Sequence, residues 1–262
     1  MKSRLLTFAV VVAGLGLAGS GLNRFAAPAW TEMRAQQPAL KLDSAMTATG
    51  QGVTLALLGG FRALVADGTW IRMYDVWVER ELPVVDTLIR LVTAIDPRPL
   101  YFWLNGARII AHDFANWRVA DAGGHEVIAA AVQRQIDAEQ GRLALRHLDA
   151  AAAFHPASAE LWIERAGIEL VRLGDPAAAA ESYRRAWEQP QAPYFAARLH
   201  AELLRRLGRK AEALAWYVKL HPGLPAGDES AGRDVVLARI RDLEAELQID
   251  AEHRYQPPPD RP

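Results

Sequence analysis

Apolar residues return at helical spacing through most of this chain. Trp70, Met73, Tyr74 and Trp77 fall at i, i+3, i+4 and i+7, which places four bulky side chains on one helix face. A stripe of this kind is core far more often than a cofactor box. Val85, Leu88, Ile89 and Val92 form a second stripe that stops at Asp96-Pro97, where proline cannot donate the next helical hydrogen bond. Tyr101, Trp103, Leu104, Ala107, Ile110 and Ala111 begin a third. The pattern predicts helices near 100–117, 126–139 and 142–154, with a turn at Gly123-Gly124 between the first two. Near the end, Val235, Val236, Ala238, Leu243 and Leu247 lie on one side of a charged helix, as expected of an element that shields the end of a helical stack.

The N-terminal pattern is different. Lys2 and Arg4 precede an uncharged run over residues 5–22, at the short edge of what spans a bilayer. A retained transmembrane anchor and a cleaved signal peptide both fit, the latter with small residues at Ala18 and Ser20 or at Ala27 and Ala29. Either way the remainder is exported, and the basic flank puts the N-terminus of an anchor in the cytoplasm. Residues 23–52 hold no sustained period and read as a linker. Residues 53–66 form an apolar stretch too short to span, expected to pack on the helices that follow or to lie in a membrane interface.

A longer period overlies the helical one. Residues 170–183 recur 34 residues later as 204–217, with Leu, Arg, Leu, Gly, Ala, Ala and Tyr at the same offsets. Arg172-Leu173-Gly174 returns as Arg206-Leu207-Gly208. A period of about 34 residues is that of a helix-turn-helix repeat. In one unit Ile163, Ala166, Gly167 and Leu170 suit a first helix, Gly174 the turn, Ala179, Tyr183 and Ala186 a second helix, and Pro190 the close. The next offers Ala201, Leu204, Gly208, Ala213, Tyr217 and Pro222, and an earlier second helix has Ala144, Leu148, Ala151 and Pro156.

On these residues the chain resembles the tetratricopeptide (TPR) repeat family, and Leu58-Gly59-Gly60-Phe61-Arg62 leading into Val65-Ala66-Asp67 and Trp70 is similar to the opening of bacterial membrane-anchored repeat proteins without an assigned activity. The resemblance implies an all-α helix-turn-helix superhelix, an α-solenoid, preceded here by an N-terminal hydrophobic helix. The closing prolines bound it: Pro156 to Pro190 spans 34 residues, but Pro97 to Pro156 spans 59, too long for one repeat and short of two. The expected organisation is residues 1–22 anchor or signal, 23–52 linker, 53–66 apolar helix, 67–156 irregular repeat-like helices, 157–222 two regular units, 223–250 capping helix and 251–262 disordered tail.

Composition narrows the chemistry. Thirty basic and thirty-one acidic residues leave a net charge near zero, without the basic excess typical of nucleic-acid binding. The absence of cysteine removes thiol nucleophiles, thiolate metal sites and lipidated cysteine anchors. His112-Asp113 and His125-Glu126 are sequence neighbours, which a helix points apart, and His155 and His221 precede closing prolines as turn residues. No catalytic, metal or cofactor constellation emerges, so the expectation is a non-enzyme needing no cofactor.

What the resemblance implies is a groove lined by first-helix positions. Carried over, these are Tyr101, Arg108 and His112, then Glu164, Ile168 and Arg172, then Phe195, Arg198, Glu202 and Arg205. Arginine forks and aromatic faces anchor protein or peptide partners, although any solvated helix face carries such charges. The expected function is a membrane-anchored scaffold or adaptor at the outer face of a bacterial inner membrane, single-pass through residues 5–22. The alternatives are a permanent structural subunit of an inner-membrane complex, a secreted soluble repeat protein, or an enzyme.

Overall fold

The structure is a computed structural model that describes residues 60–258. Those residues are all-helical, without a strand among them, and belong to one compact unit. The proposed anchor at 5–22, the linker and most of the 53–66 stretch lie outside the described residues. Among the described residues no helix is long and apolar enough to cross a membrane.

The first pair is α1 (Arg62–Val78) and α2 (Leu82–Ile95). The expected boundary between 66 and 67 falls inside α1, which runs through it without a break. Trp70 and Met73 are buried and Trp77 partly so, while Tyr74 sits at the edge of the stripe with 40% of its surface exposed. Trp70 meets Tyr74, Tyr101 and Phe102 with ring centroids 5.2–5.8 Å apart. At the end of α2, Asp96 is buried and held by both forks of Arg98 at 2.8 and 3.0 Å. The Pro97 carbonyl then accepts from Trp103 Nε1 at 2.8 Å, and His155 Nε2 lies 3.2 Å from it. The two closing turns are thereby tied together.

The interval between Pro97 and Pro156 holds one enlarged pair instead of a repeat and a fraction. Its first rod is α3 (Leu100–Arg108), a π-turn (Ile109–Asp113) and α4 (Phe114–Asp121) in direct succession. The turn at Gly123-Gly124 is present, with φ of 111° and 90°, conformations that glycine adopts without strain. The second rod is a single helix, α5 (Ala130–Ala152), 23 residues long. The expected break between 139 and 142 is absent. Gly141 is buried mid-helix, where a Cβ would come 2.9 Å from Leu173 Cδ2 and 3.1 Å from Arg172 Cβ. Glycine serves here for close approach of the next unit, not for chain reversal.

The two regular pairs are α6 (Ala159–Val171) with α7 (Pro176–Trp187), and α8 (Tyr194–Arg206) with α9 (Lys210–Leu220). The recurring residues occupy equivalent places in both. Ala179 and Ala213 are fully buried, Tyr183 and Tyr217 nearly so, and Gly174 and Gly208 take positive φ of 60° and 78° after the first helix of each pair. Small side chains let the helices approach and the tyrosine fills the gap that remains. The pairs differ at one offset: Asp175 caps α7 by accepting from the Ala177 and Ala178 amides, whereas its counterpart Arg209 gives α9 no side-chain cap. Each helix from α5 to α9 packs on the next.

The last helix, α10 (Arg233–Glu246), packs on α9 and buries Val236, Ile240 and Leu243. Val235 instead faces out. The segment after it corrects the expectation of a disordered tail from 251. Residues 251–253 form a 3-10 turn, the Tyr255 amide donates to Glu244 at 2.5 Å, and its hydroxyl lies 3.0 Å from His221 Nδ1. His221 and Glu244 are both about 2% exposed, so this strap covers polar groups that the end of the stack would otherwise leave in apolar surroundings. Residues 259–262 lie outside the described residues.

Candidate functional site

The ten residues assigned to a groove fall into two groups with different environments. In the first, Arg108 on α3 pairs with Glu164 on α6 at 2.7 Å, and Arg172 donates through Nε to His112 Nδ1 at 3.0 Å and through Nη1 to Asp137 at 2.6 Å. Both residues lie in the π-turn, from which His112 meets Arg172 at the end of α6 while Asp113 accepts from Trp77 Nε1 at 2.9 Å. His112 and Asp113 therefore point apart, as their adjacency requires. Gln140, with its amide oriented to suit both neighbours, donates to the Ile110 carbonyl at 3.3 Å and accepts from Arg118 at 2.9 Å.

Burial and the nearby Arg172 charge hold the His112 imidazole below its ordinary pKa. That keeps Nδ1 available as the acceptor that Arg172 needs. Ile168, expected on the groove surface, is 1% exposed and belongs to the core. Tyr101 is half exposed beside Trp70. The rest of this group is interhelical glue, with its charges already spent on one another.

In the second group Phe195, Arg198 and Glu202, but not Arg205, line a cleft of about 470 Å³ between α8 and α10. Its apolar surface comes from Phe195, Leu199, Val235, Val236 and Tyr217, and its polar rim from Arg198, Glu202, Arg206 and Arg239. Phe195, Leu199 and Val235 are 40%, 37% and 58% exposed, a cluster of apolar side chains that water covers on one side only. Burial pushes the Tyr217 hydroxyl up to about 12, so it stays protonated and donates to the Arg198 carbonyl at 3.2 Å.

Arg198 has a structural duty that its sequence position does not disclose. Its Nη1 donates to the Ser230 and Ala231 carbonyls at 2.8 and 2.5 Å, fastening α8 to the turn that precedes α10. Glu202 accepts from both forks of Arg205 at 3.0 and 2.8 Å and from Arg206 at 3.0 Å, and the Arg205 bonds hold its carboxyl down at about 2. Arg205 also approaches Glu246 on α10 at 3.9 Å, so it braces the cap and does not line the cleft.

Leu199, Arg206, Tyr217, Val235, Val236 and Arg239 were absent from the sequence assignment. Spacing carried a signal for two of them, since Phe195, Leu199, Glu202 and Arg206 fall at i, i+4, i+7 and i+11 and share one stripe of α8. Among the described residues, no group of three or more His, Asp or Glu is placed to hold a metal ion. The cleft offers apolar area with an arginine-rich rim, in which Arg206 is paired with Glu202 and Arg239 with Asp242, and it contains no arranged proton-transfer pair.

At this point the class is an all-helical protein built of stacked helix pairs. No protein-family model matches the chain, and no curated protein matches it. Among solved structures, the crystal structure of MamA protein aligns with 74% of this chain and 98% of its own, at a TM-score of 0.38 and 12% identity. That likeness is too distant to carry fold detail or function across.

Proposed function

We propose that the protein is a TPR-type scaffold that recruits a protein or peptide partner through the α8–α10 cleft, and that residues 5–22 hold it at the outer face of a bacterial inner membrane. The observation that carries the binding role is the cluster of exposed Phe195, Leu199 and Val235 beside Arg198, Arg206 and Arg239. Aromatic and arginine side chains around an apolar centre are the composition in which interface energy concentrates. The membrane role rests on the uncharged run after Lys2 and Arg4. Neither role calls for a cofactor, nucleic acid or catalysis.

Leu199→Glu and Val235→Glu place a charge in the cleft at positions exposed enough to spare the fold. Both should abolish co-purification of the partner while leaving helicity and the thermal midpoint unchanged. Undiminished recovery of the partner removes the cleft from the account. For the membrane role, alkaline carbonate washing should leave the full-length chain in the membrane fraction. Release of a chain shortened near residue 21 or 30 establishes a secreted form instead.

A permanent structural subunit is favoured by a separate observation on α1. Phe61, Leu64, Ile71 and Val78 are 65–71% exposed and follow one another at spacings of 3 and 7, so this first helix is apolar on its outer face as well as its inner one. A helix apolar on both faces is ordinarily covered on both. Detergent solubilisation followed by size measurement separates the readings: a stoichiometric assembly supports the subunit, and a monomer with a dissociable partner supports the adaptor.

A further inference from the structure

His147 occupies an unusual position at the meeting of α2, α3 and α5. Its ring lies against Trp103, with centroids 4.9 Å apart, and its Nε2 is out of reach of water without a hydrogen-bond partner. The slot it fills exists because residue 106 is glycine. A Cβ there would stand 2.8 Å from His147 Nε2 and 2.8 Å from Ile89 Cγ2. Three helices therefore close around one imidazole, and the neutral ring is the form that fits. A protonated ring carries a second N–H and a full charge into a place with no acceptor at Nε2.

We propose that His147 is an acid-sensitive latch: proton uptake by its imidazole opens the α2–α3–α5 junction while α7–α9 remain folded. The division follows from the cores. Ile89, Phe102, Trp103, Ala107, Leu148 and Ala151 belong to the N-terminal core, whereas Ala179 and Tyr183, and Ala213 and Tyr217, belong to separate clusters.

The charged surroundings are divided. From α2 the ring faces Arg90, which opposes the proton, and Asp86, which favours it; α3 faces it with Trp103, whose backbone also favours the proton, and with the uncharged Gly106. Burial is the largest influence, and together these hold the imidazole down at about 4 from an ordinary value near 6.5. The folded-state pKa is lowered, so the unfolded or opened state binds the proton more readily. Stability of the junction is complete above pH about 6.5 and is lost as pH falls from there toward 4. Two other imidazoles need separate accounting: His112, facing Arg172, Glu164, Asp113 and Arg108, and His200, bonded to the Ala180 carbonyl.

Hydrogen–deuterium exchange of the full chain between pH 7 and 4, corrected for intrinsic rates, tests this. Exchange in residues 82–108 and 130–152 should accelerate about tenfold per pH unit through the window, to roughly 100-fold in all, as one-proton linkage dictates. In His147→Leu that acceleration should vanish from these segments, while any response of α8 around His200 persists. An identical acid response in the variant overturns the latch, as does a wild-type response that is absent or equal in α7–α9. Should the variant not fold, the wild-type His147 ring can be followed by NMR. A midpoint near 4 that coincides with junction opening supports the proposal, and an ordinary midpoint near 6.5 contradicts it.

Discussion

The guanidinium of Arg198 occupies the space in which any side chain at position 232 would begin: a Cβ on Gly232 would stand 2.7 Å from Arg198 Nη1. Gly232 also has φ of +61° and leads directly into α10, so it answers two requirements at once. Its missing side chain admits Arg198 to the Ser230 and Ala231 carbonyls, and its left-handed backbone starts the helix that closes the stack. Gly232→Ala should therefore cost about 2–3 kcal/mol, from the left-handed conformation together with displacement of those hydrogen bonds. Urea unfolding would register it as a lower midpoint with unchanged slope. An unchanged midpoint would show that Arg198 does not hold the cap.

Two glycines in helix interiors should respond in opposite ways. Gly68 in α1 has nothing within 4 Å of where its Cβ would be, so Gly68→Ala gains helix propensity without a clash and should stabilise by about 0.5–1 kcal/mol. Gly141 in α5 faces Leu173 and the Arg172 stem, and Gly141→Val should lose about 1–3 kcal/mol to overpacking. Thermal denaturation of both variants checks the pair. A stabilised Gly141→Val would mean that the enlarged pair and the first regular unit do not meet as described.

These glycines also mark the limit of what the chain discloses in one dimension. Gly174 and Gly208 stand out because each ends a helix at the same place in a 34-residue period, and Ala179, Tyr183, Ala213 and Tyr217 are buried for the same reason. Gly141 sits in the middle of α5 and carries no such mark. Its real neighbour is Leu173, 32 residues away, and no local pattern reports a contact at that range. The groove suffered similarly. Helical spacing places Ile168 and Arg172 on one face, but only the angle at which α6 meets α3 and α5 decides that the first is core and the second is tied to His112 and Asp137. Phe195 and Glu202 could be placed on one helix face from spacing alone, because α8 belongs to the most regular unit. Val235 and Arg239 were missed because the cap helix lies beyond the last repeat.

Acid should affect the C-terminal pairs in a lower window than the His147 junction. Glu202, bonded by Arg205, and Glu181, bonded by Arg184, both have carboxyls depressed to about 2. A depressed folded-state pKa means stability that is complete above the ordinary carboxylate range and lost as pH falls from about 4.5 toward 2. Arg205→Gln should return Glu202 toward its ordinary value and make the α8–α10 region unfold at higher pH. Carbon NMR titration of the glutamate carboxyls measures the shift. A Glu202 midpoint that stays near 2 in the variant would remove Arg205 as its cause.

The scaffold reading stands on the α8–α10 cleft, and photo-crosslinking in living cells tests that cleft most directly. A photoreactive side chain at position 235 lines the cleft from α10, and one at the partly exposed position 178 on α7 serves as a control on another helix. The account predicts one discrete adduct from position 235, lost when Leu199→Glu is added, and none from position 178. No adduct from position 235, or the same adduct from both positions, would contradict it.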